Sequence, residues 1–285
     1  MAEEIELKLA LGNVAASCLP RHELLIELPM KLEWLSNTYY DTAQGALETA
    51  RIALRVRRTP EHRLQTLKTA GRGSGGLSSR GEWEWKIGDD GLDLIGLADL
   101  PPIQALDDAV LEALQPRFVT DFERCRWLLE TEDATIEAAL DQGEIRANGR
   151  SIAINELELE LKRGQPGALW QLAKGLAERV PLRPSIASKA ERGMALDKGH
   201  WPLQPPDESL RTRADHALRL LDIYRDTEER CFLEKARDTY HGLASDRQLS
   251  IAQQRHASAL ASALTHPDWL TTSFGRHSLG LQQTL

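Results

Sequence analysis

Glu4-Ile5-Glu6-Leu7-Lys8, followed by Leu9, sets charged side chains at alternate positions with aliphatic ones between them. In an extended strand alternate side chains share a face, so Glu4, Glu6 and Lys8 point one way and Ile5, Leu7 and Leu9 the other. Two carboxylates so placed suit one hard cation, and the adjacent ammonium suits an anion bound to that cation. Taken alone, the stretch fits better an antiparallel sheet with one solvated face. Recurrence decides between the two. Strands with a heavily charged face come again at Arg55 to Arg57, Arg80 to Lys86, Arg124 to Arg126, Glu137 to Asp141 and Glu156 to Lys162.

The 285 residues allow one large domain or two smaller ones, and 41% hydrophobic with 27% charged residues is the composition of a soluble globular protein. A formal net charge of −8 argues against general binding to nucleic acid or an anionic membrane, so any basic site must be local. No apolar run reaches the length of a membrane span and the chain begins with acids, which leads us to expect a cytoplasmic protein. Cys18, Cys125 and Cys231 are widely separated and argue against a disulfide frame or thiolate metal site. Only His22 and His62 precede residue 200, so a metal in that part is expected to be hard and oxygen-ligated.

The local positive charge lies at residues 51 to 72, where Arg51, Arg55, Arg57, Arg58, Arg63, Lys68 and Arg72 face a single acid, Glu61. Arg55 and Arg57 share one strand face, with a turn at Thr59-Pro60-Glu61-His62 leading to Leu64–Lys68. Gly71-Arg-Gly-Ser-Gly-Gly76 matches G-x-G-x-x-G, but an alternating strand, not a helix, follows it, so a hairpin loop is the better reading. There is no Walker lysine at the required spacing. Helical patterns are expected over 13 to 28 with a break at Pro20, over 104 to 115 ended by Pro116, and over about 165 to 180. Strands are expected near 35 to 42, 120 to 129, 135 to 143 and 154 to 162, with Trp83, Trp85 and Trp127 on the faces opposite the charges. A proline-bearing linker over 198 to 206 leads to two helical patterns, 208 to 242 and 248 to 265. Their charges nearly cancel, which suggests a packing module that the chemistry can do without.

Strands that each turn a charged face to one side bury their surface best as a closed antiparallel β-barrel with a wet, charged lumen and outer helices, an α+β fold. An ordered set of motifs narrows this reading: Glu4-x-Glu6-x-Lys8, Leu54-Arg-Val-Arg57, Thr66-Leu-Lys68, Arg80-Gly-Glu82, Leu140-Asp-Gln-Gly-Glu144, Glu156-Leu-Glu-Leu-Glu-Leu161 and Ser188-Lys-Ala-Glu-Arg-Gly193. The set resembles the CYTH family, the triphosphate tunnel metalloenzymes, and most closely the bacterial inorganic triphosphatases that join a CYTH domain to a helical CHAD domain.

The resemblance implies a CYTH tunnel domain at 1–200 and a shortened CHAD-like or accessory helical module at 207–285. It implies that Glu4, Glu6, Asp141, Glu158 and Glu160 bind Mg2+ or Mn2+, with Glu137 lining the same lumen. By it, Lys8, Arg55, Arg57, Lys68, Arg80, Arg124, Arg126 and Lys189 hold a triphosphate, while the attacking water is activated by Lys68 with Tyr39, by an acid such as Glu82, or on a second metal. The activity it implies is metal-dependent hydrolysis of inorganic tripolyphosphate to pyrophosphate and phosphate, with no nucleic-acid or membrane partner. Class IV adenylate cyclase and thiamine or nucleoside triphosphatase use the same tunnel and are the alternatives within the family. A non-catalytic polyphosphate-binding protein is the alternative outside it, and the full set of carboxylates argues against that.

Overall fold

Each long strand is two-faced because its apolar and charged residues alternate, and strand pairing joins those faces into a ring. The computed structural model describes residues 2–12, 15–59, 61–88, 91–107 and 109–285. Its strands are β1 (Ala2–Leu11), β2 (Lys31–Asp41), β3 (Ala53–Arg58), β4 (Arg63–Lys68), β5 (Arg72–Ser74), β6 (Leu77–Ile87), β7 (Gln115–Glu130), β8 (Thr135–Ala147), β9 (Arg150–Arg163) and β10 (Leu182–Pro184). They pair in the order β1-β9-β8-β7-β2-β3-β4-β6 and back to β1, every pair antiparallel, while β5 and β10 extend β6 and β1. The result is the closed eight-stranded barrel that the alternation foreshadows. β1 makes the seam, pairing with β9 along Glu6–Ala10 and with β6 along Ala2–Leu7.

The outward faces are apolar and carry the core. Leu7, Leu9, Trp127, Leu140, Leu157 and Leu159 pack against Leu169, Ala173 and Leu176 of the Gly167–Ala177 helix. On the other side, Trp83 and Trp85 join Leu54 and Leu67 under Leu97 and Ile103, from the short helices Leu94–Ala98 and Pro101–Gln104. All three tryptophans therefore belong to the outer shell.

Several local expectations are corrected. The segment from 13 to 28 is a short helix, Ala15–Cys18, and a 3-10 turn, Leu19–Arg21, with Pro20 in that turn. The pattern at 104 to 115 is not one helix: a single turn covers Ala109–Glu112, and Pro116 lies inside β7, opposite Tyr40 where the β2–β7 register shifts. A bulge tolerates the missing N–H that a regular ladder would not. Asn13, Val14, Pro60 and Asp108, which these expectations and the turn at 59 to 62 include, lie outside the described residues.

The region from 208 to 242 is two helices, Leu210–Thr227 and Arg230–Ala244, separated where Glu228 takes a left-handed φ of 58°. Ile251–Ala263 and Thr272–Thr284 complete the tail. The expected apolar face of the first helix is real, since Ala214, Ala217 and Leu221 share a core with Tyr240, Leu260 and Phe274. Its opposite face, however, turns Asp215, Arg219, Asp222 and Asp226 toward the barrel cavity, so the tail is more than a separate packing module. Sequence reading also missed the helix Lys189–Lys198, although Ser188 and Glu191 form a capping box at its start. Among the described residues, no helix is long and apolar enough to cross a membrane.

Candidate active site

The barrel encloses a cavity of about 700 Å³, and strand register arranges its charges in rows. Glu6 lies opposite Glu160, which lies opposite Glu137; Lys8 lies opposite Glu158; Glu4 lies opposite Arg80; Lys68 lies opposite Glu82. Glu6 and Lys8 are 2% and 4% exposed although both are charged, so their alternation serves an interior lumen and not a solvated face.

One wall is acidic. Glu4 receives Lys68 at 2.7 Å and Arg80 at 2.8 Å, and Glu6 receives Arg80 at 2.8 Å and Lys8 at 3.3 Å. Burial would raise Glu4, but Lys68 and Arg80 outweigh it and hold the carboxyl well below its ordinary range. Glu160 goes the other way: burial, together with the charges of Glu4 and Glu137, raises it despite Lys162 at 2.6 Å. Burial first, and two neighbouring acids after it, thus make the ionised form of Glu160 the costly one. The donors are hard carboxylate oxygens, which fit Mg2+ or Mn2+ better than a soft metal.

Among the described residues, Asp141, Glu156 and Glu158 form a group of acids with oxygens within 4.8 Å of one another. In this structure its cation is the ammonium of Lys189, 2.6 Å from Asp141, 2.5 Å from Glu156 and 3.0 Å from Glu158. Arg124 completes it with a two-pronged contact to Asp141, 2.6 Å on each arm, and 2.7 Å to Glu158. Burial opposes both cations, yet Asp141 and its neighbours raise Lys189 and Arg124 well above their ordinary values. Asp141 shares the inward strand face of Glu137 and Ala139 but is fully buried beneath Arg124 and Lys189, which come between it and the open cavity.

The opposite wall is basic and short of partners. Among the described residues, Arg55 and Arg57 form no ion pair, and the Arg55 Nε is buried without a hydrogen-bond acceptor. Arg57 donates its Nε to Asn37 at 2.9 Å, and burial, Arg55 and Arg124 push its guanidinium down to about 9. A guanidinium gives up its proton with great reluctance, so the crowding is relieved by an anion far more readily than by deprotonation.

Tyr39 is seated on this wall, stacked on Phe118 at 4.5 Å. Burial would raise its phenol, but the charge and hydrogen bond of Arg55, then Lys189 and Arg57, bring it below the ordinary value. Tyr39 therefore pairs with Arg55, whereas Lys68 pairs with Glu4 and, at 3.2 Å, with Glu82; the Tyr39–Lys68 pair implied by the resemblance is not formed. Arg126 stands nearer a rim, held by Glu33 and, at 3.4 Å, by Glu137.

The structure thus brings Glu4, Glu6, Lys8, Tyr39, Arg55, Arg57, Lys68, Arg80, Glu82, Arg124, Arg126, Glu158, Glu160 and Lys189 to one cavity and seats Asp141 behind it. Two contributors escaped the sequence reading. Glu156 shares the inward parity of Glu158 and Glu160 and holds Lys189, and Arg192, one helical turn beyond Lys189, reaches Glu156 at 3.4 Å. Strand parity for the first and i, i+3 spacing for the second were the available signals.

A family model described as the CYTH domain matches residues 2–194. The chain is similar to the inorganic triphosphatase of Haemophilus influenzae, 36% identical over 197 residues that make up 69% of this chain and 55% of that protein, so it spans about half the length of this relative. In structure it is similar to HpAC1 from Hippeastrum, an adenylyl cyclase candidate described as having a dominant triphosphatase activity, with a TM-score of 0.52 at 21% identity over 69% of this chain and 96% of that one. At that identity the likeness concerns the fold, and it agrees with the barrel. By the match over residues 2–194, the chain belongs to the CYTH family.

Proposed function

We propose that this protein is a metal-dependent inorganic triphosphatase that cleaves tripolyphosphate to pyrophosphate and phosphate inside the barrel. The observation that carries the reading is Arg57, which forms no ion pair among the described residues and is crowded by Arg55 and Arg124, across the cavity from the carboxylate row Glu6, Glu160 and Glu137. A polyanion answers the first and a divalent cation the second. The similarity to a triphosphatase of Haemophilus influenzae supports the choice of substrate class.

In this reading Arg55, Arg57, Arg124 and Arg126 bind the phosphate oxygens with charge-assisted hydrogen bonds, and Lys8, Arg80 and Lys189 add charge from other strands and the adjoining helix. Glu4, Glu6, Glu158 and Glu160 would hold Mg2+ or Mn2+, which supplies charge neutralisation at the phosphates when bound. Water attacks the terminal phosphorus, the bridging P–O bond breaks, and pyrophosphate leaves. In this reading Lys68, ion-paired with Glu4 and Glu82, would orient that water, and Glu82 would take its proton. Phosphoryl transfer needs little else than positioning and charge. Residues 1–200 carry the reaction, and 207–285 abut one end of the cavity.

The test is product analysis by phosphorus NMR on tripolyphosphate, pyrophosphate, ATP and thiamine triphosphate, with and without Mg2+ or Mn2+. Cations built for three phosphates are left partly unpaired by two, so pyrophosphate should be attacked slowly or not at all. Faster use of thiamine triphosphate or ATP, or formation of cyclic AMP, would transfer the assignment to an organic triphosphate. Binding without turnover in either metal would make the protein a polyphosphate binder.

A further inference from the structure

The helix Leu210–Thr227 carries Asp215, Arg219, Asp222 and Asp226 at i, i+4, i+7 and i+11, a single stripe opposite its apolar face. Each aspartate ends on a segment that carries a cavity cation. Asp222 is 1% exposed and accepts from the Ser185 hydroxyl at 2.8 Å, the Ile186 N–H at 2.8 Å and the Ala187 N–H at 2.9 Å, in the loop that leads directly into the Lys189 helix. Asp226 grips Arg192 through Nε at 3.0 Å and Nη2 at 2.7 Å, one turn beyond Lys189. Asp215 accepts from the N–H of Gly75 at 2.9 Å, at the tip of the β5–β6 hairpin.

Two of these anchors converge on Lys8. Its N–H donates to the Gly76 carbonyl at 3.0 Å and its carbonyl accepts from the Ser185 N–H at 2.9 Å, so the residues flanking Lys8 are the neighbours of Gly75 and the partner of Asp222. Gly76, at a φ of 88°, has space for no side chain, because a Cβ would meet the carbonyls of Lys8 and Ser185 at 2.9 and 3.0 Å. A hairpin that reads in sequence as a flexible loop is therefore clasped from the tail.

From this geometry we infer that the aspartate face of the Leu210–Thr227 helix is a positioning element of the cavity, with Asp222 as its principal residue. It sets Lys189 and Lys8 at their working places, so phosphate capture in the barrel depends on the tail. The inference rests on the reading of the cavity as the triphosphate site. Asp222 also balances Arg183 at 2.8 Å, both being buried, which gives it a reason to be charged as well as hydrogen-bonded. A displacement of about 1 Å at a charge-positioned site costs up to ~10²-fold in rate, the scale expected here.

The experiment is a double-mutant cycle of Asp222→Asn and Lys189→Gln in the full chain, read both as tripolyphosphate affinity by calorimetry and as kcat/KM with metal present. If Asp222 acts through Lys189, Asp222→Asn weakens affinity about tenfold or more alone and less than twofold in the Lys189→Gln background. Losses that add fully in the two backgrounds, or a folded Asp222→Asn protein with unchanged affinity, overturn the inference. Should Asp222→Asn fail to fold by circular dichroism, Asp226→Asn, which releases Arg192 one turn beyond Lys189, takes its place in the cycle with Lys189→Gln, with the same outcomes. Asp246→Asn, on a surface pair with Arg213 in the same tail, serves as the control and should leave affinity unchanged. Wild-type protein that binds tripolyphosphate without hydrolysing it overturns the triphosphatase reading alone, while the affinity cycle still decides the inference; wild-type protein that does not bind it overturns both.

Discussion

Replacing Arg57 with methionine removes a charge that the folded protein holds against its own stability. A guanidinium pushed down to about 9 from 12.5 by burial, Arg55 and Arg124 carries a cost on the order of 5 kcal/mol. Because the folded-state value of this base is depressed, the cost is complete at neutral pH and is relieved only as pH rises past about 9. Against it stands the hydrogen bond to Asn37, whose oxygen loses its donor in the variant, a penalty of about 1–3 kcal/mol. The balance favours the variant by roughly 2–4 kcal/mol, or on the order of 5–15 °C in Tm. Differential scanning calorimetry of the protein without ligand should show that rise, while tripolyphosphate should stabilise the wild type much more than the variant. Loss of one charge-assisted contact should also weaken affinity for tripolyphosphate about 10–100-fold. A variant that melts lower than wild type, or binds tripolyphosphate as tightly, would refute the idea that Arg57 is kept crowded for an anion.

Glu160 has a raised carboxyl, so its ionised form costs stability above the folded-state value and the cost disappears as pH falls through it; Mn2+, which needs the ionised form, should bind progressively more weakly over that same descent. Glu160→Gln should lower Mn2+ affinity at neutral pH and flatten its pH dependence, as read by isothermal calorimetry, and an unchanged profile would exclude Glu160 from the metal site. A chelator should abolish hydrolysis, and Glu6→Gln should reduce it by at least ~10²-fold with the fold intact by circular dichroism. Gly193→Ala would drive a Cβ into the Phe118 ring, which stacks on Tyr39, so a loss of about 1–3 kcal/mol should come with an altered near-ultraviolet circular dichroism spectrum. Trp127→Ala, emptying a position 2% exposed beneath the Gly167–Ala177 helix, should cost about 3–5 kcal/mol by denaturant titration.

The sequence disclosed the two faces of each strand because side-chain period in a strand is fixed at two, and a lumen of acids and bases leaves few ways to bury both. It did not disclose register. That Glu6, Glu160 and Glu137 stand in one row, and that Lys189 reaches Asp141, Glu156 and Glu158, depends on how the ring closes and on where a helix after β10 lands. The helix-ending habit of proline misleads at Pro116, which a register shift beside Tyr40 seats in a strand. The tail shows a different omission. The spacing that identifies Leu210, Ala214, Ala217 and Leu221 as one face of a helix also selects Asp215, Asp222 and Asp226 as another, but near-zero net charge hid a face on which each acid has its own partner.

The seam of the barrel has a consequence for the order of events during synthesis. β1 leaves the ribosome well before its partners in Leu77–Ile87 and Arg150–Arg163, and the Ser185 that bonds Lys8 comes later still. Closing such long loops costs entropy before any contact compensates it, so ring closure belongs to the slow, non-local class of folding steps. Until then β1 is an unpaired edge, the kind of segment that joins neighbouring chains into aggregates. Glu4, Glu6 and Lys8 guard it in the interval: the charges that line the lumen of the finished protein discourage strand-to-strand association of the nascent one.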